Sequence, residues 1–214
     1  TIVFVGFNDT LDFNNIDSLF KIASEYDTLI RLNIYRPVSE NEEINKKFVL
    51  DYRVLINALE YIYKKYKIVA LNDVLFGNIY TENCKIEENT GIDSIRILAD
   101  GSICPSTYLI TDSYRDKYNI KQKNVLSKVK FENFIEAPIP EKCNGCKIKD
   151  LCKGGVYDRR ILWNKTLNER DPYCPFENND NLDKEKFYVV KEGRISVHDG
   201  YLPTMFFKNK EDVC

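Results

Sequence analysis

Hydrophobic and polar positions follow two different periods over the first eighty residues. Ile2 to Phe7 is a β-branched and aromatic run that stops at Asn8-Asp9, which predicts a strand. Ile16, Leu19, Phe20 and Ala23 then recur at helical spacing, with Asn15 as the expected N-cap. Leu29 to Tyr35 predicts a second strand, ended at Arg36-Pro37 because the residue before proline is pushed out of helical geometry. Leu50 to Tyr66 predicts a longer helix with Leu55, Leu59, Ile62 and Tyr63 on one side, and Ile68 to Leu71 a third strand. Such alternation predicts right-handed crossovers and a parallel sheet, hence an α/β fold.

In the second strand, Leu32 and Ile34 share one face while Arg31, Asn33 and Tyr35 share the other. Two readings stand: a polar inward face lining a wet cavity or a ligand, or an edge strand with one solvated face. After Gly77 the helical period lapses and turn signals take over at Asp100-Gly101, Gly154-Gly155 and Asp171-Pro172. Ser94 to Leu98 is expected to pair with Ile103 to Ile110 as a hairpin, and Leu126 to Phe134 to form a short helix. A boundary near residues 80 to 84 divides the chain into 1–82, a cysteine-rich 83–176, and a 177–214 extension with strand-like Phe187 to Val190 and an apolar run around Leu202 to Phe207.

Composition narrows the function classes. Of 214 residues 43% are hydrophobic, enough for a packed core, and 31 basic residues balance 33 acidic ones. A net charge of -2 gives no general pull toward nucleic acid or an anionic membrane. No apolar run approaches the roughly 20 residues of a membrane-spanning helix, and no basic segment precedes a signal-like core. A start on Thr1, with Met205 as the single methionine, reads as a trimmed N-terminus.

The seven cysteines change the picture most: Cys84, Cys104, Cys143, Cys146, Cys152, Cys174 and Cys214. An odd count at clustered spacing, with no export signal, points to reduced thiols in a cytoplasmic setting and to metal. Cys143-x2-Cys146 lets one tight turn, eased by Gly145, present two thiolates to one centre. Cys152 precedes Gly154-Gly155, whose backbone can pass close to a bulky inorganic core, and the Asp171-Pro172-Tyr173 turn can return Cys174 as fourth ligand. Four sulfur ligands select zinc or an iron–sulfur cluster, and spacing alone does not separate the two.

Cys143-Asn-Gly-Cys146-x5-Cys152-Lys-Gly-Gly, followed by Asp171-Pro-Tyr-Cys174-Pro, resembles the SPASM auxiliary-cluster domain of radical S-adenosylmethionine (SAM) enzymes. Ala99-Asp-Gly-Ser-Ile-Cys-Pro105 resembles that domain's hairpin, and Cys84 stands where the family's first cysteine would be. Arg31-Leu-Asn-Ile-Tyr-Arg-Pro37 is similar to a barrel strand and its turn, so the resemblance runs from residue 1 to about 175. It implies half of a partial (β/α) barrel over 1–82 followed by a small cysteine-rich α+β domain. By the same resemblance Cys143, Cys146, Cys152 and Cys174 hold one auxiliary [4Fe–4S] cluster. The family's second auxiliary cluster would need a cysteine at Val156 and another between Cys84 and Cys104; neither is present. Cys84 and Cys104 are then free buried thiols, remnants of a lost site, or ligands of a partial one. The Cys-x3-Cys-x2-Cys loop that binds the catalytic cluster occurs nowhere in the 214 residues, so this chain as it stands is expected to be inert toward SAM.

What the resemblance implies for the intact enzyme is an oxidoreductase that binds SAM and a second [4Fe–4S] cluster, draws electrons from a flavodoxin or ferredoxin, and abstracts hydrogen from a peptide or protein substrate. Arg31, Asn33 and Tyr35 would then form a cavity wall toward SAM or substrate. The competing class is a non-catalytic zinc or iron–sulfur module that binds a peptide or protein partner. Other residues add little. His198, the only histidine, reads as a surface turn residue. Arg159 and Arg160 read as solvated, with a place beside an anionic cluster as the alternative. Lys64-Lys65 reads as an exposed helix face, and Gly154-Gly155 lacks the pattern of a phosphate loop.

Overall fold

A computed structural model describes residues 1–82, 86–88, 90–92, 94–180, 186 and 205–208. Cys84, His198, Cys214 and the strand expected at Phe187 to Val190 lie outside the described residues. In chain order the elements are β1 (Ile2–Gly6), α1 (Phe13–Glu25), β2 (Ile30–Ile34), α2 (Glu42–Phe48), α3 (Tyr52–Lys65), β3 (Lys67–Leu71), α4 (Val74–Tyr80), β4 (Arg96–Ile97), β5 (Ile103–Cys104), α5 (Asp112–Arg115), α6 (Glu132–Ile135), α7 (Lys149–Cys152), α8 (Tyr157–Asn164) and β6 (Met205–Lys208). They form two compact units, Thr1–Ile86 with Tyr173–Cys214, and Glu87–Pro172.

In the first unit each helix starts on an acid or amide whose side chain accepts two free backbone N–H groups: Asp12 for α1, Asn41 for α2, Asp51 for α3 and Asp73 for α4. Asn15, the expected cap of α1, lies inside the helix instead. Asp12 has the extended backbone a cap needs and accepts from the amides of Asn14 and Asn15. Helix α2 was not expected at all. It buries no residue, so it shows no apolar period; Asn41, early Glu42 and Glu43, and late Lys46 and Lys47 favour it through capping and the helix dipole.

β1 and β2 pair in parallel across α1, with Phe4 opposite Leu32. β2 and β3 do not pair. β6 lies between them, antiparallel to both, giving the order β1-β2-β6-β3. The wholly parallel sheet expected from strand–helix alternation is therefore a mixed one, because a segment far along the chain supplies the backbone partners that β2 and β3 would otherwise give each other. Phe4, Ile30 and Leu32 pack on one face with Leu11, Ile16, Phe20 and Ile62. On the other face of β1, Val3 and Val5 remain 57% and 41% exposed.

The second unit has little regular structure. Its hairpin is shorter than expected: Arg96 opposes Cys104 and Ile97 opposes Ile103, with Asp100 accepting from the Ser102 amide in the turn. The helix expected over Leu126 to Phe134 is split into a 3-10 turn (Val125–Ser127) and α6. Between them the Lys130 carbonyl accepts from Tyr118 Oη and Lys117 Nζ. Leu109, Phe131, Phe134, Tyr157 and Leu167 make the core.

Candidate metal centre

The cysteine run is built from successive tight turns. After Pro140 a 3-10 turn (Glu141–Cys143) ends with the Cys143 amide donating to the Pro140 carbonyl at 2.8 Å. The Cys146 amide donates to the Cys143 carbonyl at 3.0 Å, closing the Cys-x2-Cys turn. Gly145 supplies φ +85° there, with open space where a Cβ would stand. α7 then carries Cys152, and the chain leaves it through left-handed Lys153. Cys143 and Cys152 are buried and Cys146 is half-buried.

Gly154-Gly155 makes a close approach to protein. A Cβ on Gly154 would stand 2.6 Å from Pro140 Cδ, and one on Gly155, at φ +98°, would run into the Asp171 carboxyl. That carboxyl is a hub. Its Oδ2 accepts from the Val156 amide at 2.9 Å, ahead of α8, and from Arg159 Nε and Nη2 at 2.7 Å each. Glu88 takes the next amide, that of Tyr157, at 3.2 Å. Burial pushes the Glu88 carboxyl above its ordinary range, while its bonds from Thr90 and Tyr157 pull the other way.

Arg159 and Arg160, read from the sequence as solvated, are both fully buried. Arg159 pairs with Asp171. Among the described residues Arg160 donates to main-chain carbonyls: Glu169 at 2.8 Å, Lys153 at 2.9 Å, Pro138 at 3.1 Å, and Leu167. Burial works against its charge, and Tyr157, Asp171, Cys143 and Glu88 act in its favour.

Cys104 is a buried thiol on β5, raised in pKa by burial; Val156 is equally buried. In the first unit Cys174 is buried at the start of a 3-10 turn (Pro175–Asn178). Its carbonyl accepts from Asn178 Nδ2, and neighbouring Tyr173 donates to the Leu50 carbonyl at 3.0 Å. Among the described residues no three His, Cys, Asp or Glu side chains are gathered as a metal ion would hold them. The donors fit a thiophilic metal by chemistry: soft, reduced sulfur, on a run whose Lys153 carbonyl accepts from the buried Arg160 guanidinium.

Of the polar residues expected on β2, the structure joins two: Arg31 Nε donates to Asn33 Oδ1 at 3.1 Å. Tyr35 Oη donates to Asn45 Oδ1 at 3.0 Å, and its ring lies 5.7 Å from that of Phe48. Sequence reading missed Glu88 and Asp171 as partners of the amides at the head of α8. Nothing in a polar loop marks an isolated acid for that role.

No protein-family model and no curated protein matches the chain. A solved structure, native anSMEcpe with bound AdoMet and Cp18Cys peptide, is similar, with a TM-score of 0.50 and 18% identity over 83% of this chain and 54% of that one. That protein is a radical SAM SPASM enzyme. The likeness is one of fold, and this chain spans about half the length of its neighbour. Among the described residues no helix is long and apolar enough to cross a membrane.

Proposed function

We propose that this chain is part of a radical SAM enzyme of the SPASM type that modifies a peptide or protein substrate. The observation that carries the reading is the coincidence of that fold likeness with the Cys143, Cys146, Cys152 turn sequence in the second unit. Cys143, Cys146, Cys152 and Cys174 would hold one [4Fe–4S] cluster, which supplies one-electron chemistry when bound. Burial of Cys143 and Cys152 would shield it from water, and the half-buried Cys146 leaves one side open. Arg31 and Asn33, held together on β2, would present a planar donor and an amide to an anionic group of SAM or of the substrate. SAM, a second cluster and the peptide bound to the neighbour belong to the intact enzyme in this reading, with a flavodoxin or ferredoxin as reductant and a reducing, cytoplasmic setting.

Serine substitution tests the ligand set. Cys143→Ser, Cys146→Ser, Cys152→Ser and Cys174→Ser are each expected to lower the iron bound by the anaerobically reconstituted chain, whereas Cys104→Ser leaves it unchanged. Equal iron in all five variants would reject the assignment. In the intact enzyme Arg31→Ala should raise the SAM concentration required; unchanged SAM binding would count against its role.

A further inference from the structure

A buried guanidinium is stable only when its donors are satisfied and its charge is answered. Arg160 meets the first condition through main-chain carbonyls and the second only through charges that it does not touch. Among the described residues its hydrogen bonds end on carbonyl oxygens, and it lies over the Tyr157 ring, 5.5 Å from the centroid. Among the described residues no acid is ion-paired with it. Asp171 is engaged by Arg159 and the Val156 amide, and Glu88 by the amides of Thr90 and Tyr157. Arg159, one residue away and equally buried, has the carboxylate that Arg160 lacks. Cys143 is the member of the cysteine run whose charge favours that of Arg160, beside Tyr157, Asp171 and Glu88.

The carbonyls that Arg160 holds are not scattered. Pro138 lies just before the 3-10 turn that ends in Cys143, and Lys153 follows Cys152 directly. One guanidinium therefore ties the entry and the exit of the cysteine run, while Leu167 and Glu169 fix it from the loop after α8. Its planar fork suits this, since five N–H donors in fixed directions can reach several acceptors that a lysine ammonium cannot.

We propose that Arg160 is the brace and counter-charge of the cysteine run: it clamps the backbone on both sides of Cys143, Cys146 and Cys152 and sets a buried positive charge beside their thiolates. The inference rests on the reading that these cysteines hold a thiolate-ligated iron–sulfur centre. Arg160 is a positioning residue in this role, with no contact to substrate.

The test uses the full chain reconstituted with iron and sulfide without oxygen, as wild type, Arg160→Lys and Arg160→Met. Two quantities are read: the rate of iron loss to a chelator and the midpoint potential of the bound centre. Loss of an orienting partner typically weakens metal binding about 10- to 100-fold, and both variants should lose iron faster by that order. The potential separates charge from packing. Arg160→Met should move it to more negative values, because the more negative reduced state loses its nearby cation, whereas Arg160→Lys should keep it near wild type. Iron retention at the wild-type rate in Arg160→Lys overturns the brace. An identical potential in the Met and wild-type proteins overturns the counter-charge. Where the Met variant does not fold, a potential in the Lys variant shifted as far as loss of the charge would require also overturns the counter-charge. Wild type that takes up no iron removes the functional reading itself, a separate result.

Discussion

The two units of this protein reach stability by different means. In Thr1–Ile86 with Tyr173–Cys214, helices capped by Asp and Asn lay periodic apolar faces on a sheet, and Ile16, Phe20, Leu32, Leu55, Leu59 and Ile62 are almost wholly buried. In Glu87–Pro172 the strands are two residues long, and the largest fully buried side chains include two arginines. There a few aromatic rings and specific polar ties replace layered secondary structure. A layered core tolerates changes of partner; a core resting on Asp171, Arg159 and Arg160 fails when one partner is removed.

That contrast can be broken at several points. Asp171→Ala leaves Arg159 buried without its carboxylate and the Val156 amide without its acceptor, and is expected to cost about 3–5 kcal/mol. Trp163, the only tryptophan, sits in α8, so its fluorescence during urea unfolding reports this unit. A midpoint unchanged from wild type would show the buried pair to be dispensable. Leu32→Ala should cost about 2–5 kcal/mol in the sheet unit by opening a cavity. It should appear in the loss of helical circular dichroism ahead of the Trp163 signal; coincident transitions would show that the units do not unfold separately.

Gly155→Ala forces a side chain into positive φ and into Asp171, at an expected cost of about 1–3 kcal/mol. The Trp163 transition reads that loss, and a neutral result would remove the glycine's packing role. Asp12→Ala should cost about 1 kcal/mol, more than Asn15→Ala, if Asp12 caps α1; equal effects in thermal unfolding would return the cap to doubt. The smallest effect is at the exposed Asp100–Arg115 pair. Hydrogen bonding to Arg115 lowers the Asp100 carboxyl from 3.8 to about 2. A carboxyl depressed in the folded state adds stability above its unfolded value and loses it as pH falls through the folded one. Arg115→Gln should therefore flatten a slight loss of stability between 3.8 and about 2. An unchanged acid profile would show the pair to be inert.

What was legible in the sequence follows the same division. Local periodicity located β1, β2, β3, α1 and α3, because each buries one face at a regular interval. It could not show β6 entering between β2 and β3, since that pairing joins segments far apart in the chain. Nor could it show α2, which has no buried face. In the second unit the tight turn at Cys143-x2-Cys146 was readable because Gly145 and the short spacing mark it. Arg159 and Arg160 were not, since an arginine pair in an isolated sequence carries no sign of the carboxylate and carbonyls that will surround it. Gly154-Gly155 announced a close approach but not its partner, which is Asp171 and Pro140.

Metal analysis and visible absorption of the full chain purified without oxygen test the central claim most directly. The account predicts a brown protein holding iron and acid-labile sulfide in equal amounts, about four of each per chain. A colourless protein carrying one zinc ion, or no metal at all, would contradict it.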